Sequence, residues 1–223
     1  MSEEILRELN AEGLRSVFLK YTREAYESIP KMDKPSILDI GCGTGMPTLE
    51  LARLSNGEIT GIDVDQGVLD NLNLKIKQQG LSGRIKVYNR SVYNTQFEDE
   101  IFDIIWEEGV IHLLDLKKAL KECNRVLKLN GFIVTGEATN WANRKLKHFP
   151  RFGFKLTKQI PWEKECWWME YYKPLEEKIN ILRKKYDNLD KIEEVKRHVM
   201  EIEMVKKDPT EFDCVTYILQ KIN

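Results

Sequence analysis

Several functional classes are closed off by what this sequence lacks. Cysteine is sparse: Cys42, Cys123, Cys166 and Cys214 lie far apart, with no CxxC and no histidine at ligand spacing. Neither a disulfide frame nor a zinc cluster is therefore expected, and no metal site. No run approaches the roughly 20 apolar residues that a membrane-spanning helix needs, so no membrane partner is expected. Neither sign of charge prevails, 35 Lys and Arg standing against 36 Asp and Glu for a formal −1. Without a positive field there is no bulk attraction toward phosphate backbones, and nucleic acid is not the expected partner. The opening MSEEILRELN has no cationic segment leading into an apolar one, so no secretory signal is read and the expected location is cytoplasmic. Internal repeats and low-complexity tracts are also missing.

What the chain has is alternation. Up to about residue 160, short β-rich runs take turns with helical ones, the pattern of a parallel sheet with crossover helices. Strands are expected over 36–40, 58–62, 84–88, 101–106 and 132–137. Several are apolar on both faces, as strands covered by helices must be. Pro47 suits the first turn of a helix reaching about residue 54. A second helix fits 66–79, stopping at Gly80. A third starts at Asp115 and carries Leu116, Ala119, Leu120, Cys123 and Leu127 on one stripe until Asn130 and Gly131 end it. The first 30 or so residues read as helical.

Beyond about residue 160 the pattern changes. Leu175, Ile179, Leu182 and Tyr186 fall at helical spacing, as do Ile192, Val195, Val199 and Ile202, with charges on the other faces. Residues 152–160 and 213–221 read as an antiparallel strand pair at one sheet edge. The expected organisation is a sheet domain of residues 1–160 and 213–223, interrupted by helices at 161–212 that serve as a lid or a dimer element.

The most informative stretch is ILDIGCGTG, residues 37–45, with glycine at three alternate positions behind a buried strand. Glycine permits positive φ and lets a ligand approach the main chain, because no Cβ intervenes. Such a loop at the carboxyl end of a strand is where open α/β sheets bind ligands. Asp39 lies inside the strand, and a carboxylate there is costly without donors or a cation. Asp63 ends the next strand about 20 residues on, placed to accept both hydroxyls of a ribose. The spacing is not the G-x-G-x-x-G of dinucleotide sites, and no Lys-Ser/Thr follows, which excludes a P-loop.

The segments ILDIGCGTG, GIDVD (61–65), FEDEIFDIIWEEGVIHLL (97–114) and ECNRVLKLNGFIVTGEA (122–138) occur in this order over about residues 35–138. Together they resemble the successive motifs of S-adenosylmethionine-dependent methyltransferases of the Rossmann-like class. The resemblance implies a three-layer α/β sandwich on a seven-stranded, mostly parallel sheet whose last strand is antiparallel, here carrying a helical insertion. It implies S-adenosyl-L-methionine as cofactor and S-adenosyl-L-homocysteine as product. On the same resemblance Gly41, Gly43 and Gly45 line the methionine part, with Asp39 near its ammonium. Asp63 takes the ribose hydroxyls and Val64 lies against the adenine; ordinary core filling is the other reading of Val64. The family usually offers an aspartate to the adenine amino group, and NRSVYN (89–94) departs from this by placing Ser91 there, followed by Val92. Glu107, Glu108 and Gly109 end the fourth strand, where the sulfonium carbon and the acceptor should meet. Tyr21 and Thr22 on the N-terminal helix either cover this site or, for Tyr21, pack against the sheet.

Methyl transfer is an in-line displacement, so the protein has to align the nucleophile, exclude water and remove a proton where needed. Glu108 and His112 are the candidates for catalysis, since a histidine titrates near neutrality; His112 capping or packing its loop is the alternative. Glu137 and Trp141 are candidates for the far wall of an acceptor site, structural packing being the other reading. The run PWEKECWWMEYYKP (161–174) brings Trp167, Trp168 and Tyr171, which either enclose the acceptor or anchor the inserted helices. The expected partners are a small-molecule methyl acceptor and a second copy of the chain. Protein or RNA methylation is the alternative, against which stands EEGVIH in place of an [Asn/Asp]-Pro-Pro-[Tyr/Phe] stretch. A cofactor-binding protein without catalysis is a third reading.

Overall fold

Adjacent residues of the central strands are buried on opposite faces, and this explains their unbroken apolar character. The computed structural model describes residues 2–223; Met1 lies outside the described residues. In chain order the helices are α1 (Ser2–Leu9), α2 (Ala11–Arg15), α3 (Leu19–Glu27), α4 (Met46–Leu54), α5 (Gln66–Gln78), α6 (Leu116–Val126), α7 (Thr139–Lys145), α8 (Lys173–Arg183) and α9 (Glu193–Lys207). The strands are β1 (Ser36–Ile40), β2 (Glu58–Asp63), β3 (Ile85–Asn89), β4 (Phe102–Glu108), β5 (Leu127–Ala138), β6 (Phe154–Pro161) and β7 (Cys214–Lys221). The chain divides into two compact units, Leu19–Pro161 with Val215–Asn223, and Met1–Phe18 with Trp162–Cys214.

In the larger unit the seven strands lie in the order β3-β2-β1-β4-β5-β7-β6. Strands β1 to β5 pair in parallel and β6 runs antiparallel to β7. Ile37, Ile104 and Phe132 face one side, with Leu49 and Leu51 of α4 and Leu69, Leu72 and Ile76 of α5. Leu38, Ile105 and Ile133 face the other, with Ala119, Leu120 and Cys123 of α6. Alternation along a strand thus feeds two cores, one per layer of helices. Each fully buried Leu or Ile contributes about 1.5–3 kcal/mol relative to exposure. Asp65 caps α5 by accepting from Gly67 and Val68, and Asp115 caps α6 by accepting from Lys117 and Lys118.

Most strand boundaries shift by one or two residues from the sequence expectation, and two differences bear on the site. The fourth strand runs on to Glu108. The third predicted helix stops at Val126, because Leu127 already pairs with Phe102 as the first residue of β5. Asn130 and Gly131 are not the helix stop they resemble: they form an irregularity inside a long strand. Asn130 sits at φ 67°, and a Cβ on Gly131 would lie 2.9 Å from the carbonyl oxygen of Asp103.

The smaller unit is helical. Ile5 and Leu9 of α1 are fully buried, Glu8 pairs with Lys185 at 2.7 Å, and the Tyr186 hydroxyl donates to Glu8 at 2.8 Å. Phe18 packs on Trp167 with ring centroids 4.4 Å apart. These contacts join the chain up to Phe18 to the inserted helices, whereas the sequence reading had placed all of residues 1–160 with the sheet. Helix α8 buries Leu175, Ile179 and Leu182, and Tyr186 lies beyond its end. Helix α9 buries Val195, His198, Ile202 and Val205, so His198 holds the buried position that periodicity gave to Val199.

Candidate active site at the carboxyl edge of the sheet

The strand order reverses at β1, which lies between β2 and β4 although all three run the same way. Crevices outside the carboxyl ends of strands at such a point are the ligand sites of open α/β sheets. The loop leaving β1 holds Gly41, Gly43 and Gly45 at φ 68°, 50° and 87°. At Gly45 a Cβ would come 2.1 Å from Leu72 Cδ1, so only glycine lets α4 start there. Gly43 differs, since nothing would lie nearer its Cβ than the Gly41 carbonyl oxygen at 3.9 Å. Its surroundings are open, and its N–H donates to Asp63 Oδ2 at 2.9 Å. Asp63 Oδ1 accepts from the Asp65 N–H at 2.9 Å, so one carboxylate ties the β1 and β2 loops together. Val64 is 72% exposed beside it, which removes the core-filling reading. Gly45 caps α4 with no side-chain acceptor, and Pro47 in the first turn has no N–H to satisfy. An open glycine edge, a strand-end carboxylate and an exposed apolar residue together fit an adenosyl ligand.

Val92 is buried in the core, which leaves its backbone and Ser91 as the parts that could meet a base. Ser91 Oγ accepts from the Tyr93 N–H at 3.3 Å. Asp39 is 2% exposed and accepts from Thr48 Oγ1 at 2.5 Å. Burial, reinforced by the charges of Glu108, Glu107 and Asp63, pushes its carboxyl up to about 8. This end of the sheet is thus a cluster of carboxylates that repel one another, which a cationic ligand group would relieve.

Register brings the β4 and β5 carboxylates into the same cluster: Ile40 stands opposite Glu107, and Glu107 opposite Thr135. Glu107 is buried and its oxygens are fully engaged. Oε1 accepts from the N–H groups of Val110 and Ile111 at 2.5 and 2.7 Å, and Oε2 from Thr135 Oγ1 at 2.6 Å. Glu107 therefore holds the following loop, its carboxylate taken by these three donors. Glu108 Oε1 accepts from Thr22 Oγ1 at 2.9 Å and from Trp106 Nε1 at 2.8 Å, which pins α3 across the end of β4.

Glu137 is 3% exposed and meets His112 through both oxygens. Its Oε1 accepts the His112 N–H at 3.3 Å and lies 3.3 Å from Nδ1, and its Oε2 lies 3.0 Å from Nδ1. The His112 ring packs edge-on to Trp141 at 6.5 Å. Burial pushes Glu107 up to about 8, helped by the charge of Glu137, and pushes Glu137 itself up to about 7.

Glu108, His112, Glu137 and Trp141 are thus brought to one edge with Asp39, Asp63 and the glycine loop. Tyr21 is buried in α3. Trp167 and Tyr171 belong to the smaller unit, where Trp167 meets Phe18, Trp162 and Tyr171, and Arg15 lies 5.3 Å over its ring. Lys206 lies 5.8 Å over Trp168. Within that unit the aromatic run is packing. The hydroxyl donors Thr48 and Thr135 were missed by the sequence reading, which named Thr22 only as a cover over the site; the available signal was acidic residues inside apolar strands, which require buried donors. Among the described residues no group of side chains could hold a metal ion, and no helix is long and apolar enough to cross a membrane.

Residues 38–135 match the family described as Methyltransferase domain. Methyltransferase GfsG of Streptomyces halstedii is 29% identical over 113 residues, covering 50% of this chain and 41% of the relative. EEF1A lysine methyltransferase 2 of Homo sapiens is 31% identical over 136 residues, 56% of either chain. The chain therefore spans about half the length of these curated relatives. The crystal structure of the [4+2]-cyclase SpnF superposes with a TM-score of 0.78 at 19% identity, over 91% of this chain and 80% of that one. Other structures of the same fold contain S-adenosyl-L-methionine or S-adenosyl-L-homocysteine. With the glycine loop, Asp63 and the strand order already in place, residues 38–135 are similar to a methyltransferase domain, and the fold is that of the Rossmann-like class.

Proposed function

We propose that this chain transfers a methyl group from S-adenosyl-L-methionine to a small-molecule acceptor, with His112 removing the acceptor proton. The observation that carries the reading is the convergence of the open Gly43 edge, Asp63 and His112 on one end of the sheet. Asp63 would hold the ribose hydroxyls, the Gly41–Gly45 backbone and Asp39 the methionine part, and Val64 with Ser91 the base. Bound there, the cofactor supplies an electrophilic methyl group. The chain's own work is to align the nucleophile, keep water out and accept a proton. Of the two candidates for the last task His112 is favoured, because one oxygen of Glu108 is already held by two donors. Glu108 then keeps α3 closed over the end of β4.

A protein acceptor is the second reading, favoured by the 31% identity to a lysine methyltransferase. Incubation with methyl-labelled S-adenosyl-L-methionine and fractionated cell extract separates the two. Label in the small-molecule fraction, lost in His112→Asn, supports the proposal. Label confined to protein contradicts it, and no label in any fraction favours a cofactor-binding role without transfer.

A further inference from the structure

Three consecutive amides, those of Val110, Ile111 and His112, are given to two buried carboxyl groups, and the only imidazole at this edge is held by one of them. We propose that Glu137 is a positioning residue that fixes His112 as the Nδ1–H tautomer, so that Nε2 is presented as the proton acceptor. The proposal deepens the functional reading above and rests on it.

With Glu137 ionised, the contacts fix the ring tautomer. Glu137 Oε1 faces the His112 backbone N–H, which can only donate, so this oxygen is an acceptor. Oε2 faces Nδ1 at 3.0 Å. An ionised carboxylate there accepts from Nδ1–H, and the lone pair of the ring is then at Nε2. For Glu137 to be ionised while buried, a neighbour must carry the proton that the pair shares. Burial raises both Glu107 and Glu137, and a shared proton carried by Glu107 leaves Glu137 ionised. Glu137 accepts the His112 backbone N–H at 3.3 Å, which stabilises its charge. When His112 takes a proton at Nε2, the imidazolium forms against a carboxylate 3.0 Å away, and no buried group has to move. Glu107 meanwhile holds the loop through Val110 and Ile111, which keeps the ring in reach of Glu137. Trp141 packs on the ring edge and limits its rotation.

The test is nitrogen NMR of histidine labelled on the ring, in the whole chain with S-adenosyl-L-homocysteine as the probe ligand. The chain has three histidines, so His112, His148 and His198 are assigned by single substitutions. The parent should show His112 with a protonated Nδ1 and a bare Nε2; a bare Nδ1 overturns the proposal without any variant. In Glu137→Gln, with the amide oxygen kept on the His112 backbone N–H, the NH2 takes the nearer place 3.0 Å from Nδ1 and favours the Nε2–H tautomer. Transfer should then fall by roughly 10- to 100-fold, with S-adenosyl-L-homocysteine affinity close to the parent's. Glu137→Asp, which keeps a carboxylate, should restore part of the Nδ1–H population. Unchanged tautomers in a folded Glu137→Gln overturn the inference while leaving the cofactor reading intact. Loss of homocysteine-ligand binding by the parent overturns the cofactor reading instead, and the tautomer measurement on the free protein still decides the role of Glu137.

Discussion

At the scale of single residues the candidate site is a problem of too many carboxylates, and its pH behaviour follows from that. Asp39, Glu107 and Glu137 are held above their ordinary carboxyl values, at about 8, about 8 and about 7. A raised carboxyl value means that the folded chain binds protons which the unfolded chain has released. Between about pH 4 and pH 8 the ligand-free protein should therefore lose stability as pH rises, and denaturant midpoints across that range check it. A cationic ligand group beside Asp39 favours the ionised form. Affinity for S-adenosyl-L-methionine should accordingly rise from about pH 6 to about pH 8 with release of a proton, and the rise should flatten in Asp39→Asn. Calorimetry in buffers of different ionisation enthalpy measures that release, and a pH-independent affinity would contradict it. Asp63→Ala should weaken binding of S-adenosyl-L-homocysteine by about 1.5–3 kcal/mol, the cost of lost bonds to a charged group. It should also lower the melting temperature slightly, because Asp63 ties two loops together. Much of this chemistry was legible: Asp39, Asp63, Glu108 and His112 stand out by type and place. The use of Glu107 and Glu137 was not, since which side chain turns inward at a strand end depends on Thr135 and on the loop amides across 25 to 28 residues.

At the scale of elements, glycine positions and caps carried most of the information. The β1–α4 junction was readable because its glycines have no substitute. Gly45→Ala combines φ 87° with a Cβ 2.1 Å from Leu72 of α5. It should destabilise the chain by about 1–3 kcal/mol in urea unfolding, through strain and overpacking. A change within a few tenths would mean that the loop relaxes freely. Asp115 as the α6 cap was equally plain, and its loss should cost about 1 kcal/mol. The α6–β5 junction misled for a physical reason: Leu127 continues the buried helical stripe and also begins a strand. Only pairing with Phe102, which lies 25 residues earlier, decides between them. In α9, periodicity alone could not say that a histidine would take the buried position beside Val195.

At the scale of the whole molecule, parallel pairing and the antiparallel last pair followed from alternation, whereas the partition did not. The segment up to Phe18 belongs with the inserted helices because α1 buries Ile5 and Leu9 there, a contact between chain ends that no local pattern encodes. Every residue proposed to hold the cofactor lies within Leu19–Pro161. A chain lacking both the first 18 residues and 162–213, closed by a short glycine-containing turn, should therefore still bind S-adenosyl-L-homocysteine. Retained binding with unchanged acceptor choice would show that the helical unit has no part in selecting the acceptor. The central claim is that the glycine loop and the carboxylates at the ends of β1, β2, β4 and β5 form an adenosyl-sulfur site. Titration calorimetry of the purified chain tests it most directly. One saturable site for S-adenosyl-L-methionine and for S-adenosyl-L-homocysteine, with no comparable heat from NAD or ATP, is the predicted result; no binding of either sulfur ligand would contradict the account.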